Sequence, residues 1–275
     1  MAPRCIQIEE TYSSSMYLFD DGSVYKMGYG RYDEMGTGYN TSTNANHWAR
    51  IVNFPYGTRI VKISMPYQYE NDTHHCLALD EDGYVWTWGY NGYGQLGRGT
   101  SSNFSKPYRI PRRYFGHKRV IDIVSSNNGY GWNIVRCSDD NLYAWGYNLS
   151  GQLADTTTTD RYVPILMTGW SPSANNGIQK LQVASWANSN AMAMLLDGNG
   201  YMWFVGYNGH GQAGNNTTTS QTAWTKVTYG TLPGTISNFW LICSNGYYST
   251  WYRNTSGATY ASVSYTHLTL PTILL

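Results

Sequence analysis

DGYVWTWGYNGYGQLG, from Asp82 to Gly97, holds a turn, a strand and a second turn in one short run. The Asp82-Gly83 pair supplies the positive φ that a tight hairpin needs. Tyr84, Val85, Trp86 and Trp88 then put bulky apolar groups on both faces of one extended segment. A strand of that kind needs cover on both sides, so the segment reads as the interior of stacked sheets. Gly89, Gly94 and Gly97 close the run where the backbone must bend without a Cβ.

The run recurs. DGSVYKMGYGRYDEMG begins at Asp21, DNLYAWGYNLSGQLA at Asp140 and NGYMWFVGYNGHGQAG at Asn199. The anchor glycines Gly28, Gly89, Gly146 and Gly206 lie 61, 57 and 60 residues apart. Trp145, Gly151 and Gly211 repeat further positions of the motif. No window sustains apolar residues at helical spacing, whereas short β-rich runs recur between Gly, Asn, Asp and Pro clusters. A repeat of this length without helices means one small sheet per repeat, and radial stacking of such sheets protects their edges. The predicted fold class is all-β: a partial β-propeller of about four to five four-stranded blades, with blades near 5–57, 58–115, 116–176, 177–233 and, incomplete, 234–262.

WGYNGYGQLGRGT, from Trp88 to Thr100, resembles the signature of the regulator of chromosome condensation repeat family, and WGYNLSGQL, from Trp145 to Leu153, is similar to it. The repeat at Gly206 keeps Gly211, Gln212 and Gly214, while the one at Gly28 departs, with Gly30 in place of Asn and Glu34-Met35 in place of Gln-Leu. The resemblance implies a propeller, commonly of seven blades with four strands each, and brings with it guanine-nucleotide exchange on a small GTPase as one activity and propeller-type enzyme inhibition as another.

A fifth anchor glycine is expected at 263, yet the chain reads VSYTHLTLPT from Val263 to Thr272. That string looks like a translated transposase-adapter sequence, so residues 263–275 are expected to be a non-native tail on a truncated gene. An interrupted propeller would leave a sheet edge open, and the chain is expected to be poorly soluble or oligomeric.

Composition narrows function. Charged residues make up 13% against 41% hydrophobic, with 26 Tyr and 11 Trp, and the net charge is +1. Arg109, Arg112, Arg113, Lys118 and Arg119 form one short basic run, expected to be a solvated loop, so no general nucleic-acid binding is expected. The opening MAPRCIQIEETYSSS lacks the apolar core of a secretory leader and no apolar run reaches membrane-spanning length, so no membrane insertion and a cytoplasmic or virion-associated location are expected. Cys5, Cys76, Cys137 and Cys243 form no C-x-x-C pair and read as buried free thiols.

No catalytic residue, metal site or cofactor is indicated. Asp20-Asp21, Asp80-Glu81-Asp82, Asp139-Asp140 and Asp197 recur at one hairpin position and read as turn formers. His74-His75 would point to opposite faces of a strand, which argues against a shared metal; exposed or partly packed rings are the expectation. The most informative repeated side chain is the tyrosine after each anchor glycine: Tyr29, Tyr90, Tyr147 and Tyr207, followed by Asn91, Asn148 and Asn208 in three cases. They either pack between blades or form an aromatic rim facing a ligand. The expected function is a non-enzymatic scaffold binding a protein or glycan, of the kind a microbial or phage surface would carry; nucleotide exchange and enzyme inhibition are the alternatives.

Overall fold

A computed structural model describes residues 2–11, 13–28, 30, 34–38, 45–66, 74–126, 130–186, 190–228, 235–244 and 247–263. Among the described residues nineteen strands form five antiparallel sheets, each a simple meander in chain order. Sheet 1 holds β1 (Cys5–Glu10), β2 (Ser14–Phe19), β3 (Val24–Gly28) and β4 (Ala45–Arg50). Sheet 2 holds β5 (Ile60–Ser64), β6 (His75–Asp80), β7 (Val85–Gly89) and β8 (Phe104–Arg109). Sheet 3 holds β9 (Val120–Ser125), β10 (Trp132–Cys137), β11 (Leu142–Gly146) and β12 (Arg161–Leu166). Sheet 4 holds β13 (Ile178–Trp186), β14 (Asn190–Asp197), β15 (Met202–Gly206) and β16 (Gln221–Lys226), and sheet 5 β17 (Ile236–Ser244), β18 (Tyr247–Asn254) and β19 (Thr259–Val263). The chain divides into two compact units: Met1–Asn148 with Thr159–Leu166, which contains sheets 1–3, and Leu149–Thr158 with Met167–Leu275, which contains sheets 4 and 5.

The repeat dictates one register. Ser14 pairs with Gly28, His75 with Gly89, Trp132 with Gly146 and Met192 with Gly206. At each of these glycines the pairing to the fourth strand shifts, a bulge repeated in four sheets. The bulge needs a left-handed backbone: φ is 105°, 104°, 104° and 97°. A Cβ would also lie 2.3–2.7 Å from the carbonyl oxygen of Ser13, His74, Gly131 or Ala191. Only glycine meets both demands. In sheet 5 the same register pairs Ser249 with Val263, so Val263 stands where a fifth anchor would. Residues 264–275 of the suspected tail lie outside the described residues.

Alternation along the strands separates two faces. In the first unit Met16, Leu18, Val24 and Ile51 of sheet 1 pack against Ile60, Ile63, Cys76, Ala78, Trp86 and Trp88 of sheet 2. The opposite face of sheet 2, with Leu77, Leu79, Val85 and Ile110, packs against Val120, Ile123, Val135, Cys137 and Trp145 around sheet 3. The second unit repeats the scheme: Met194, Leu196 and Phe204 of sheet 4 meet Ile236, Phe239 and Tyr252 of sheet 5. The first strands are also cross-linked. Gln7 donates to the Ile63 carbonyl at 2.7 Å and accepts from its N–H at 3.0 Å, and Gln182 accepts from Leu241 N–H at 3.2 Å.

Gly89→Ala should therefore cost at least ~3 kcal/mol, adding a backbone clash to left-handed strain. Gly57 also has φ 82° but nothing within 4 Å of a would-be Cβ. Gly57→Ala should cost only about 1–2 kcal/mol. Urea midpoints at constant m-value check the contrast.

Candidate ligand-docking surface

The loops after the anchor glycines are built by their own asparagine and glutamine. Asn91 is wholly buried; its Nδ2 donates to the carbonyls of Thr100 and Ser102 at 2.7 and 2.9 Å, and its Oδ1 accepts from Leu96 N–H at 2.8 Å. Asn148 Nδ2 donates to the Thr159 carbonyl at 3.0 Å. Asn208 donates to the Thr217 carbonyl at 3.0 Å and accepts from Ala213 N–H at 2.9 Å. The glutamines close the same loops from the other side. Gln95, Gln152 and Gln212 accept the N–H two residues earlier, at Tyr93, Ser150 and His210, over 2.8–3.0 Å. The three asparagines grouped with the tyrosines as ligand contacts thus sit as loop staples, with their amides turned inward.

Three of the motif loops are also held by the following sheet. Trp88 of sheet 2 donates its indole N–H to the Glu34 carbonyl at 2.9 Å, and Trp145 of sheet 3 donates to the Gln95 carbonyl at 2.8 Å. In the second unit Thr250 donates its hydroxyl to the Gln212 carbonyl at 2.7 Å. The acceptor is the same motif position each time, and a buried carbonyl left without a donor would be costly.

On this framework the first unit gathers four tyrosines. Ring centroids lie 6.4 Å apart for Tyr90–Tyr93, 4.3 Å for Tyr93–Tyr130, 5.3 Å for Tyr93–Tyr147 and 4.7 Å for Tyr130–Tyr147. Tyr147 is buried, while Tyr90, Tyr93 and Tyr130 are half-exposed. Tyr90 folds over the next turn, its hydroxyl against Gly92. Burial, then Tyr130 and Asp160 nearby, pushes the Tyr147 phenol up to about 12. Burial and the neighbouring phenols of Tyr130 and Tyr90 raise Tyr93 as well. Tyr93 and Tyr147 therefore keep their protons at physiological pH, and the cluster offers ring faces and hydroxyls.

Tyr90 and Tyr147 are the sequence-predicted members brought together here. Tyr207 lies in the second unit, against His210 at 5.7 Å, and Tyr29 falls outside the described residues. Tyr93 and Tyr130 were not marked by the repeat: Tyr93 varies to Ser150 and His210, and Tyr130 precedes β10 outside the motif. The second aromatic inside NGYG was the one available signal for Tyr93.

The other polar groups serve the fold. Asp80 accepts Tyr84 N–H at 2.8 Å and the Trp86 indole at 2.9 Å; Asp197 does the same for Tyr201 and Trp203 at 2.8 and 2.9 Å. Cys76 and Cys137 are buried free thiols, raised by burial to about 11 and about 12. Among the described residues no group of three or more His, Cys, Asp or Glu is placed to hold a metal ion. Nor, among them, is any helix long and apolar enough to cross a membrane.

The histidine pair corrects the expectation of exposed or partly packed rings: both are fully buried. His74 sits just before β6, within 3.3 Å of the Ser13 hydroxyl, and His75 Nε2 lies 2.6 Å from Asn133 Oδ1, across the sheet 2–sheet 3 boundary. The sequence showed strand alternation but not that both faces at this point are covered. Burial lowers His74 to about 3, helped by Lys26, and His75 to about 4 against the opposing Asn133 bond. The folded state therefore keeps both rings neutral while the unfolded chain protonates near 6.5. Stability should be full above pH 6.5 and fall as the pH drops toward 4, by roughly 3 kcal/mol for His75 at about 1.4 kcal/mol per unit. Thermal melts across pH 7 to 4 measure this, and His75→Gln should flatten the slope.

The family model for the regulator of chromosome condensation (RCC1) repeat matches residues 82–129. Human E3 ubiquitin-protein ligase HERC2 is 27% identical over 176 residues, 64% of this chain and 3% of HERC2. The ultraviolet-B receptor UVR8 of Arabidopsis thaliana is 24% identical over 156 residues, 57% of this chain and 32% of UVR8. This chain thus spans a small part of HERC2 and about a third of UVR8. Human WBSCR16 superimposes with TM-score 0.69 at 19% identity, covering 95% of this chain and 62% of that one. Yeast RCC1 (Prp20) bound to Kap60 gives 0.68 at 19%, covering 94% and 56%. Prp20p of Saccharomyces cerevisiae, solved with a study of its binding to Gsp1p and histones, gives 0.66 at 20%, covering 94% and 58%. At such identities the structural likeness concerns the fold.

Proposed function

We propose that this chain, an RCC1-like β-propeller built on RCC1 repeats, is a non-catalytic scaffold that docks a protein partner on its tyrosine-lined loops. The observation that carries the reading is the Tyr90–Tyr93–Tyr130–Tyr147 cluster, half open to solvent and held on loops stapled to the neighbouring sheet. Tyrosine gives large contact area at small entropy cost, and rigid loops reduce the ordering penalty of binding. The polar groups of the repeat are consumed inside the fold, which leaves recognition to ring faces and hydroxyls. A protein is favoured over a glycan because Kap60, Gsp1p and histones, the partners named for the yeast relatives, are proteins.

Guanine-nucleotide exchange on a small GTPase is the second reading, favoured by the match to the regulator of chromosome condensation repeat. A nucleotide-release assay against a GTPase panel tests it directly.

For the docking surface, Tyr90→Ser should leave the urea midpoint nearly unchanged, whereas Tyr147→Ser should lower stability by about 2 kcal/mol because its ring is buried. Against immobilised GTPases, Kap60, histones and a glycan array, the chain should bind a protein probe, and Tyr90→Ser should weaken it roughly tenfold. Undiminished binding by Tyr90→Ser would rule out the cluster as the docking site. Binding to glycans alone would replace the protein partner.

A further inference from the structure

One side chain touches both halves of the tyrosine cluster. Gln95 is wholly buried, and its amide is used at both ends. Oε1 accepts the Tyr93 N–H at 2.8 Å within its own loop, and Nε2 donates to the Tyr130 carbonyl at 3.1 Å in the segment before β10. The next carbonyl along, that of Gly131, accepts the Tyr147 N–H at 3.1 Å. The Tyr130–Gly131 segment is therefore a junction. One of its carbonyls meets the Gln95 amide, and through it Tyr93, while the other holds the backbone of Tyr147. A Cβ on Gly131 would stand 3.1 Å from both Gln95 Nε2 and His75 Nδ1, so glycine lets the segment lie this close. The main chain of Gln95 is fixed in turn, its carbonyl accepting Asn133 Nδ2 and the Trp145 indole N–H, both at 2.8 Å. With Nδ2 so committed, Asn133 turns Oδ1 toward His75, which carries its proton on Nε2.

Comparison of the repeats separates the two ends of this amide. The accepting end closes its own loop at Gln95, Gln152 and Gln212. Closure does not need the donating end. Gln212 accepts the His210 N–H at 3.0 Å although its buried Nε2 has no partner among the described residues. In the first repeat Glu34 stands at this position, also wholly buried, and an ionised carboxylate has no hydrogen to donate. Loop closure thus leaves the bond from Gln95 to Tyr130 unexplained, and that bond is the one that joins two repeats.

We propose that Gln95 is the positioning residue of the tyrosine surface, joining Tyr93 of one repeat to Tyr130 and Tyr147 of the next as a single docking element. The inference rests on the docking reading above. Tyr93 and Tyr130 are only half-buried, so the bond, rather than a closed core, sets their rings 4.3 Å apart. Rings fixed before a partner arrives lose less entropy on binding.

The test is amide hydrogen exchange on the full chain, read beside its binding to immobilised Kap60, histones and GTPases. Gln95→Glu, measured near pH 8 where a carboxyl is ionised, keeps the acceptor for Tyr93 and removes the donor to Tyr130. The Tyr147 amide should exchange roughly tenfold faster while the Tyr93 amide stays protected, and the Kd for the bound probe should rise about tenfold. A residue that only closed its own loop would leave Tyr147 unmoved. Gln95→Met keeps the shape and discards both bonds, so both amides should exchange faster; this variant decides the matter where the carboxylate of Gln95→Glu prevents folding. An unmoved Tyr147 amide overturns the proposal. So does faster exchange with undiminished binding while Tyr90→Ser still weakens it, since the two loops would then not act as one. If Tyr90→Ser also leaves binding intact, or the wild type binds none of the probes, the docking reading itself falls and this role of Gln95 with it.

Discussion

One hydrogen bond, from a tryptophan indole to a loop carbonyl of the preceding sheet, organises the rest of the first unit. Trp88 reaches Glu34 and Trp145 reaches Gln95, and both indoles are wholly buried. A side chain this large fills the space between two sheets, while its single N–H needs a partner that only the neighbouring loop can offer. Packing and polar satisfaction therefore demand the same geometry. A sheet displaced along its neighbour would lose both at once.

The glycines follow from that demand. A Cβ on Gly36 or Gly97 would come within 2.8 or 3.1 Å of the Trp88 or Trp145 indole nitrogen. The second unit shows what happens when the tryptophan is missing. Val205 holds the tryptophan position of sheet 4, paired with Ala193 as Trp145 pairs with Asn133, and the preceding loop carries Ala154 in place of glycine. Ala154 keeps the left-handed backbone at φ 52°. The loop thus retains its path, and a smaller strand residue accompanies the added methyl group. The two departures, fifty-one residues apart in sequence, fall at the two motif positions that meet between sheets 1 and 2 and between sheets 2 and 3.

Function inherits what this economy leaves over. Asparagines and glutamines close their own loops, aspartates close hairpins, and the buried histidines bridge to neighbouring residues as neutral rings. Side chains so committed cannot also meet a ligand. The tyrosines on the stapled loops keep part of their ring surface open to solvent.

The amino-acid sequence alone determined the strands, the bulge glycines and the tryptophan positions, because each rests on chain-local properties: the sign of φ at Gly89, the alternation through Tyr84–Trp88, the hairpin chemistry of Asp82-Gly83. Repetition multiplied those local signals into an architecture. Only the tertiary structure decided which side chains meet across a sheet boundary. Tyr93 and Tyr130 belong to different repeats, and so do His75 and Asn133; their contacts depend on how one sheet and its loops meet the next.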